Sequence, residues 1–124
     1  MWLGPDPDLV HIYVSLDGEG VVRRVRAEGH AGSTAAGGNL ICAAVTVLLR
    51  SLFESWFRYP RLVLEGQAPE SGVLGFDLKQ YEAAQTTALR ASGDVLLTGL
   101  AGLQREYPDA LDLVIESKGG TYAT

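Results

Sequence analysis

Across residues 29–45, Gly-His-Ala-Gly-Ser-Thr-Ala-Ala-Gly-Gly-Asn-Leu-Ile-Cys-Ala-Ala-Val, the hydrophobic period of the chain changes from two to about 3.6. A strand must therefore hand over to a helix through one short, small-residue connection. Four of the fifteen glycines fall in residues 29–38. The only cysteine, Cys42, and one of the two histidines, His30, lie in the same stretch. No other part of the sequence holds as much chemistry.

The flanking segments follow from alternation and breakers. In residues 9–16, Val10, Ile12, Val14 and Leu16 alternate with His11, Tyr13 and Ser15, a half-buried strand. Asp17-Gly18-Glu19-Gly20 is a turn. Residues 21–28 form a second strand, with Val21, Val25 and Ala27 on one face and Arg24, Arg26 and Glu28 on the other, so the pair makes a hairpin. Residues 40–57 place Ile41, Val45, Leu48, Leu52 and Trp56 at helical spacing. Ala44, Val47, Leu49 and Phe53 widen the apolar surface, so this helix is expected to be buried on more than one side. Tyr59-Pro60 ends it.

Leu62-Val63-Leu64 reads as a third strand, residues 66–72 as a turn, and Leu74, Phe76 and Leu78 mark a fourth strand. Leu89, Gly93, Leu96, Leu100, Leu103 and Tyr107 share one stripe of a second helix over residues 84–106, stopped by Pro108. Its glycines lower helix propensity but permit close contact. Leu111, Leu113 and Ile115 mark a fifth strand. The order ββαββαβ predicts an α/β (α+β) domain: a single-layer mixed sheet with packed helices. Residues 9–117 are expected to form that one domain, residues 1–8 an exposed N-terminal arm, and residues 118–124 a C-terminal tail.

A chain of 124 residues suits one domain with an adequate core. A single cysteine forms no internal disulfide and fits a reducing cytoplasm. One Cys and two His are too few for a structural zinc site. Residues 1–8 lack the basic and apolar regions of a signal peptide, and the apolar run 40–49 is too short to span a bilayer before Arg50. The net charge of −5 disfavours non-specific nucleic-acid binding and favours a basic protein or peptide partner, or simply keeps the surface soluble.

Asn39 is a good N-cap residue, which would put Cys42 at the third helical position. There the helix dipole and unpaired N–H groups favour a thiolate. His30 stands across the glycine-rich loop, at the end of the second strand. A Cys–His pair is the minimum for nucleophilic acyl transfer, with N–H groups of the first helical turn or the loop holding the oxyanion. The same Cys42 also reads as a small buried hydrophobe on a core helix, and pattern alone leaves both readings open. His11 reads as a strand-surface residue, Thr46 as an ordinary helix residue, and Arg23, Arg24 and Arg26 as solvated. The loop lacks the lysine of a P-loop and the spacing of a dinucleotide fingerprint.

Gly29-His30-Ala31-Gly32, followed by Gly38-Asn39-Leu40-Ile41-Cys42-Ala43-Ala44-Val45-Thr46, resembles the bacterial ribosomal-processing cysteine protease (Prp) family. Leu100-Ala101-Gly102-Leu103 and Glu106-Tyr107-Pro108-Asp109 resemble that family's second helix and its end. The resemblance implies a cytoplasmic, homodimeric cysteine endopeptidase that removes a short N-terminal extension from a large-subunit ribosomal protein. It implies His30 as catalytic histidine and Cys42 as nucleophile, with Gly29, Gly32, Gly37, Gly38 and Asn39 around the bound peptide. Neither cofactor nor metal is implied, and neither nucleic acid nor membrane is an expected partner. Asn39 stands where the family has Asp, and Thr46 where it has Ser. A missing carboxylate would weaken the dyad if it orients the imidazole. The alternative is therefore a catalytically weak or inactive dimeric interaction domain of the same fold, linked to ribosome assembly.

Overall fold

The computed structural model describes residues 9–29, 38–67 and 73–118. The expected arm, the tail beyond Lys118, and residues 30–37 and 68–72 lie outside them. Five strands, β1 (Val10–Leu16), β2 (Val22–Glu28), β3 (Val63–Gln67), β4 (Val73–Gln80) and β5 (Leu111–Ser117), form one sheet in the order β3-β4-β2-β1-β5. Neighbours are antiparallel except β1 and β5, which run parallel. Helices α1 (Gly38–Phe57) and α2 (Thr86–Glu106) pack on one face. The expected order ββαββαβ and mixed sheet are both found, with a short 3₁₀ turn at Ala83–Gln85 before α2.

β1 shows the expected alternation, with Val10, Ile12, Val14 and Leu16 buried under the helices. β2 departs from it. Ser15 pairs with Arg24 while Leu16 pairs with Val22, so Arg23 is an extra residue with nothing opposite. This bulge shifts the parity of the strand. Val22 and Val25, three apart, are therefore both buried, whereas alternation alone predicts Val22 on the other face. The freed Arg23 guanidinium donates to the carbonyls of Leu78 and Lys79, each at 2.8 Å, and pairs with Asp17 at 3.2 Å.

Asp17 organises this end of the sheet. One carboxylate oxygen accepts the N–H groups of Glu19 and Val21, and the other accepts the Tyr81 hydroxyl at 2.6 Å. The opposite sheet face carries a second charged cluster. Asp77 is only 7 % exposed and accepts from Arg24 at 2.8 Å and Arg26 at 3.0 Å. The arginines expected to be merely solvated thus close over a buried carboxylate. Strand β3 also differs from expectation: Gly66 and Gln67 belong to it, pairing with Phe76 and Gly75, although the sequence there reads as a turn.

Helix α1 buries Ile41, Val45, Leu49, Leu52 and Trp56. Trp56 meets Phe76 edge-on at 5.8 Å, and its indole N–H donates to Ser92 of α2 at 2.8 Å. On one flank, Phe53 lies against Gly66 and Phe76; on the other, Leu48 lies against Gly99 of α2. Gly93 likewise lets α2 approach Val22, so the glycines of this helix serve close contact. The helix is thus buried against both sheet and helix, but its outer side is open, with Leu40, Val47 and Phe57 exposed. Because the apolar character continues past Arg50, Leu40–Phe57 has the length and mean hydropathy (1.6) of a membrane span. Its inward residues are the core of this domain.

Gly29 closes β2 with a φ of +92°, and a Cβ there would lie 2.5 Å from the Leu9 carbonyl oxygen. Only glycine meets both conditions without strain. Gly29→Ala should therefore cost about 1–3 kcal/mol, read as a lowered thermal midpoint; an unchanged midpoint would contradict the strain. Burial alone would raise the Asp77 carboxyl, but hydrogen bonds from Arg26 and Arg24 outweigh it and hold it below the usual carboxylate range. Burial likewise opposes, and Tyr81, the Val21 and Glu19 N–H groups and Arg23 together overcome, the same effect at Asp17. Carboxylates depressed in the folded state contribute stability that is complete above their unfolded value of about 3.9. It is lost as pH falls through the lower folded value. Asp77→Asn should cost about 1–3 kcal/mol at neutral pH, and its gap to the unsubstituted chain in urea unfolding should close below about pH 4.

Candidate active site

Glu28 at the end of β2 pairs with Val73 at the start of β4, and Gln67 at the end of β3 pairs with Gly75. The segments 30–37 and 68–72 therefore leave from the same end of the sheet. β3 starts at the other end, where Val63 meets Gln80, and α1 leads down to it. The N-terminus of α1 thus lies at the Gly29 end. Among the described residues, this is the end that collects the strand-to-helix connection and the β3–β4 connection.

Cys42 is the fifth residue of α1, because the helix begins at Gly38 rather than after Asn39. Asn39 is thus helical in backbone, not the N-cap, and Cys42 sits beyond the first turn. Side chains on a helix lean toward its N-terminus, so the thiol still lies over that turn. The side chain is half-buried and packs against the core. It shares a flank with Thr46, Leu49 and Phe53, four, seven and eleven residues on. Since Phe53 on that flank contacts β3 and β4, Cys42 is turned toward the β3–β4 side and away from α2. Cys42 thus touches the core near the N-terminal end of α1.

The Thr46 hydroxyl donates to the Cys42 carbonyl at 2.8 Å. That bond commits it to the helix backbone, in line with its reading as a helix residue. His30, Gly32 and Gly37 fall outside the described residues, while Gly29 and the backbones of Gly38 and Asn39 bracket that connection. His11 stands on β1 on the helix-free face, opposite α1, with its Nδ1 3.5 Å from Asp112. The sheet separates it from Cys42. Among the described residues no group of three His, Cys, Asp or Glu could hold a metal ion.

The Arg24–Asp77–Arg26 cluster escapes sequence reading because it needs the β2–β4 pairing. Its signal is an aspartate in a strand opposite two arginines two residues apart. It lies on the helix-free face and braces the sheet rather than meeting Cys42.

The domain is similar in fold to several solved structures. SMU.848 from Streptococcus mutans superposes with a TM-score of 0.75 at 20% identity, covering 90% of this chain and 97% of that one. The ribosomal processing protease Prp from S. aureus, in complex with a substrate peptide, gives 0.71 at 15% identity, with 86% and 99% covered. The same protease in complex with a covalently linked product peptide gives 0.69 at 16% identity, again with 86% and 99% covered. A search of curated proteins finds no match. The family model for cysteine protease Prp matches residues 9–112, from the entry to β1 into β5 and across both His30 and Cys42. The chain belongs to the cysteine protease Prp family.

Proposed function

We propose that this chain is a cytoplasmic cysteine endopeptidase that removes a short N-terminal extension from a large-subunit ribosomal protein. The observation that carries the reading is the family match running through His30 and Cys42. The position of Cys42 near the start of α1, at the end of the sheet where Gly29 releases the chain, supports it. So does the fold likeness to a protease described as ribosomal-processing and crystallised with substrate and covalently linked product peptides.

In the proposed cycle the His30 imidazole takes the Cys42 thiol proton, and the thiolate attacks the scissile carbonyl. The negative oxygen that develops is held by N–H groups of the first turn of α1, which have no partner within the helix. His30 then gives its proton to the leaving amine, and water releases the acyl group from sulfur. Gly32, Gly37 and Gly38 give the connection a backbone without side-chain bulk, against which an extended peptide can lie. Asn39 lies close to this chemistry but brings an amide where the family has a carboxylate. That substitution is the one observation favouring a catalytically weak domain that binds its ribosomal partner without cutting it.

The test is incubation with the N-terminal segments of the ribosomal proteins of the same genome, followed by mass spectrometry. One extended segment should be shortened at a single bond. Cys42→Ala should lower that rate by about 1000-fold or more, with the circular dichroism spectrum unchanged. Stable binding without products supports the non-catalytic reading. Cleavage that survives Cys42→Ala contradicts the nucleophile assignment.

A further inference from the structure

β3 is an edge of the sheet: among the described residues it pairs with β4 on one side and with no strand on the other. Open backbone N–H and C=O groups along such an edge are a template for a further strand. The Cys42 thiol is turned toward this edge. The other edge, β5, lies under α2, on the side from which the thiol is turned away. α1 also sits low on β3, because a Cβ at Gly66 would lie 2.9 Å from the Phe53 ring and glycine leaves that space free. One turn beyond Phe53 stands Phe57, its ring 5.8 Å from the first and its side chain on the same flank of the helix. Phe57 is 68 % exposed, and packing within the domain does not account for it.

We propose that the outer edge of β3 is a docking strand remote from the thiol. It takes up, as an added antiparallel strand, the part of the substrate chain that follows the scissile bond, and Phe57 is the wall on which that strand packs. The inference rests on the peptidase reading and adds where the retained part of the substrate is held. Leu64 packs against the core and Gly66 meets Phe53, so both face α1, while Glu65 faces the opposite way beside Asp77. Side chains of a strand laid against them alternate in the same manner. One set turns up toward Phe57, and the other turns down beside Glu65. Glu65 is exposed and, among the described residues, forms no ion pair. A protein that binds ribosomal RNA carries Lys and Arg for the phosphates, and such a side chain complements Glu65.

Length and direction agree with this placement. Phe57 is fifteen residues beyond Cys42 on α1, about 22 Å along the helix. An extended peptide covers that span in about seven residues. A short N-terminal extension is the minor part of the substrate, and the part that remains after the cut is the long one. With the scissile carbonyl at Cys42, that part runs from the Gly29 end toward Val63. β3 runs from Val63 toward the Gly29 end, so the two are antiparallel, the more stable kind of pairing. Contacts this far from the reacting bond are the same before and during the reaction, so they lower KM and leave kcat unchanged.

The test uses two synthetic peptides copied from the ribosomal N-terminal segment that mass spectrometry shows to be cut. One ends about four residues past the scissile bond and the other about ten past it, so that only the longer reaches Phe57. The longer peptide should have a KM at least about tenfold lower, with kcat unchanged. Phe57→Ala and Glu65→Lys should each remove most of that advantage and leave the kinetics of the shorter peptide as they are. In the Cys42→Ala chain, the longer peptide should slow hydrogen exchange at alternate amides of β3 and at none of β5. Equal KM values for the two lengths, an advantage that both variants retain, or protection that falls on β5 would each overturn the proposal. Cutting of the shorter peptide reads the peptidase activity by itself, so a cut without a length effect removes the docking strand and keeps the peptidase. If no segment is cut, both fall. Circular dichroism of each variant separates loss of docking from loss of fold.

Discussion

The attachment of α1 to the sheet rests on Trp56. Its side chain is fully buried, meets Phe76 of β4 edge-on, and donates its indole N–H to Ser92 of α2. One residue thereby ties helix to sheet and helix to helix, with its single polar atom satisfied. Truncating a buried tryptophan of this kind typically costs about 3–5 kcal/mol, a large share of the stability of a domain this size. Cys42 rides four turns away on the same helix and packs against the same core.

The two ends of the sheet are built differently. At the far end, Asp17 gathers two backbone N–H groups, a tyrosine hydroxyl and Arg23 into one closed cluster. At the near end, Gly29 turns the chain out of β2 in a conformation that a side chain would strain. Chemistry gathers at that near end: the half-buried thiol faces it, and the connection bearing His30 leaves from it. The helix-free face is kept polar and closed by Arg24, Asp77 and Arg26 over β2 and β4, and by Tyr13 donating to Glu116.

Much of this was legible in the residues. Val10, Ile12, Val14 and Leu16 announce a half-buried strand, and Ile41, Val45, Leu52 and Trp56 a core helix. Cys42 stood out as a lone thiol near a helix start beside a histidine and glycines. The rest depends on partners that local pattern does not show. Glu65-Gly66-Gln67 has no alternation of its own and becomes strand only by pairing with β4. Val22 turns inward because of a bulge set by the register with β1. Asp77 is buried because β2 brings two arginines across from it. The start of α1 differs by two residues because Gly38, a poor helix former, is nonetheless helical; Asn39 reads as the cap by residue type alone. His30, expected as the catalytic base, lies outside the described residues, and its role rests on the family.

The central claim is that Cys42 is a nucleophile activated by His30. The most direct measurement is the rate of Cys42 alkylation by iodoacetamide against pH, in the unsubstituted chain and in His30→Ala. The account predicts fast labelling near neutral pH that His30→Ala slows to the rate of an ordinary thiol. Rates that coincide in the two chains and rise only toward about pH 8.5, as for free cysteine, would contradict it.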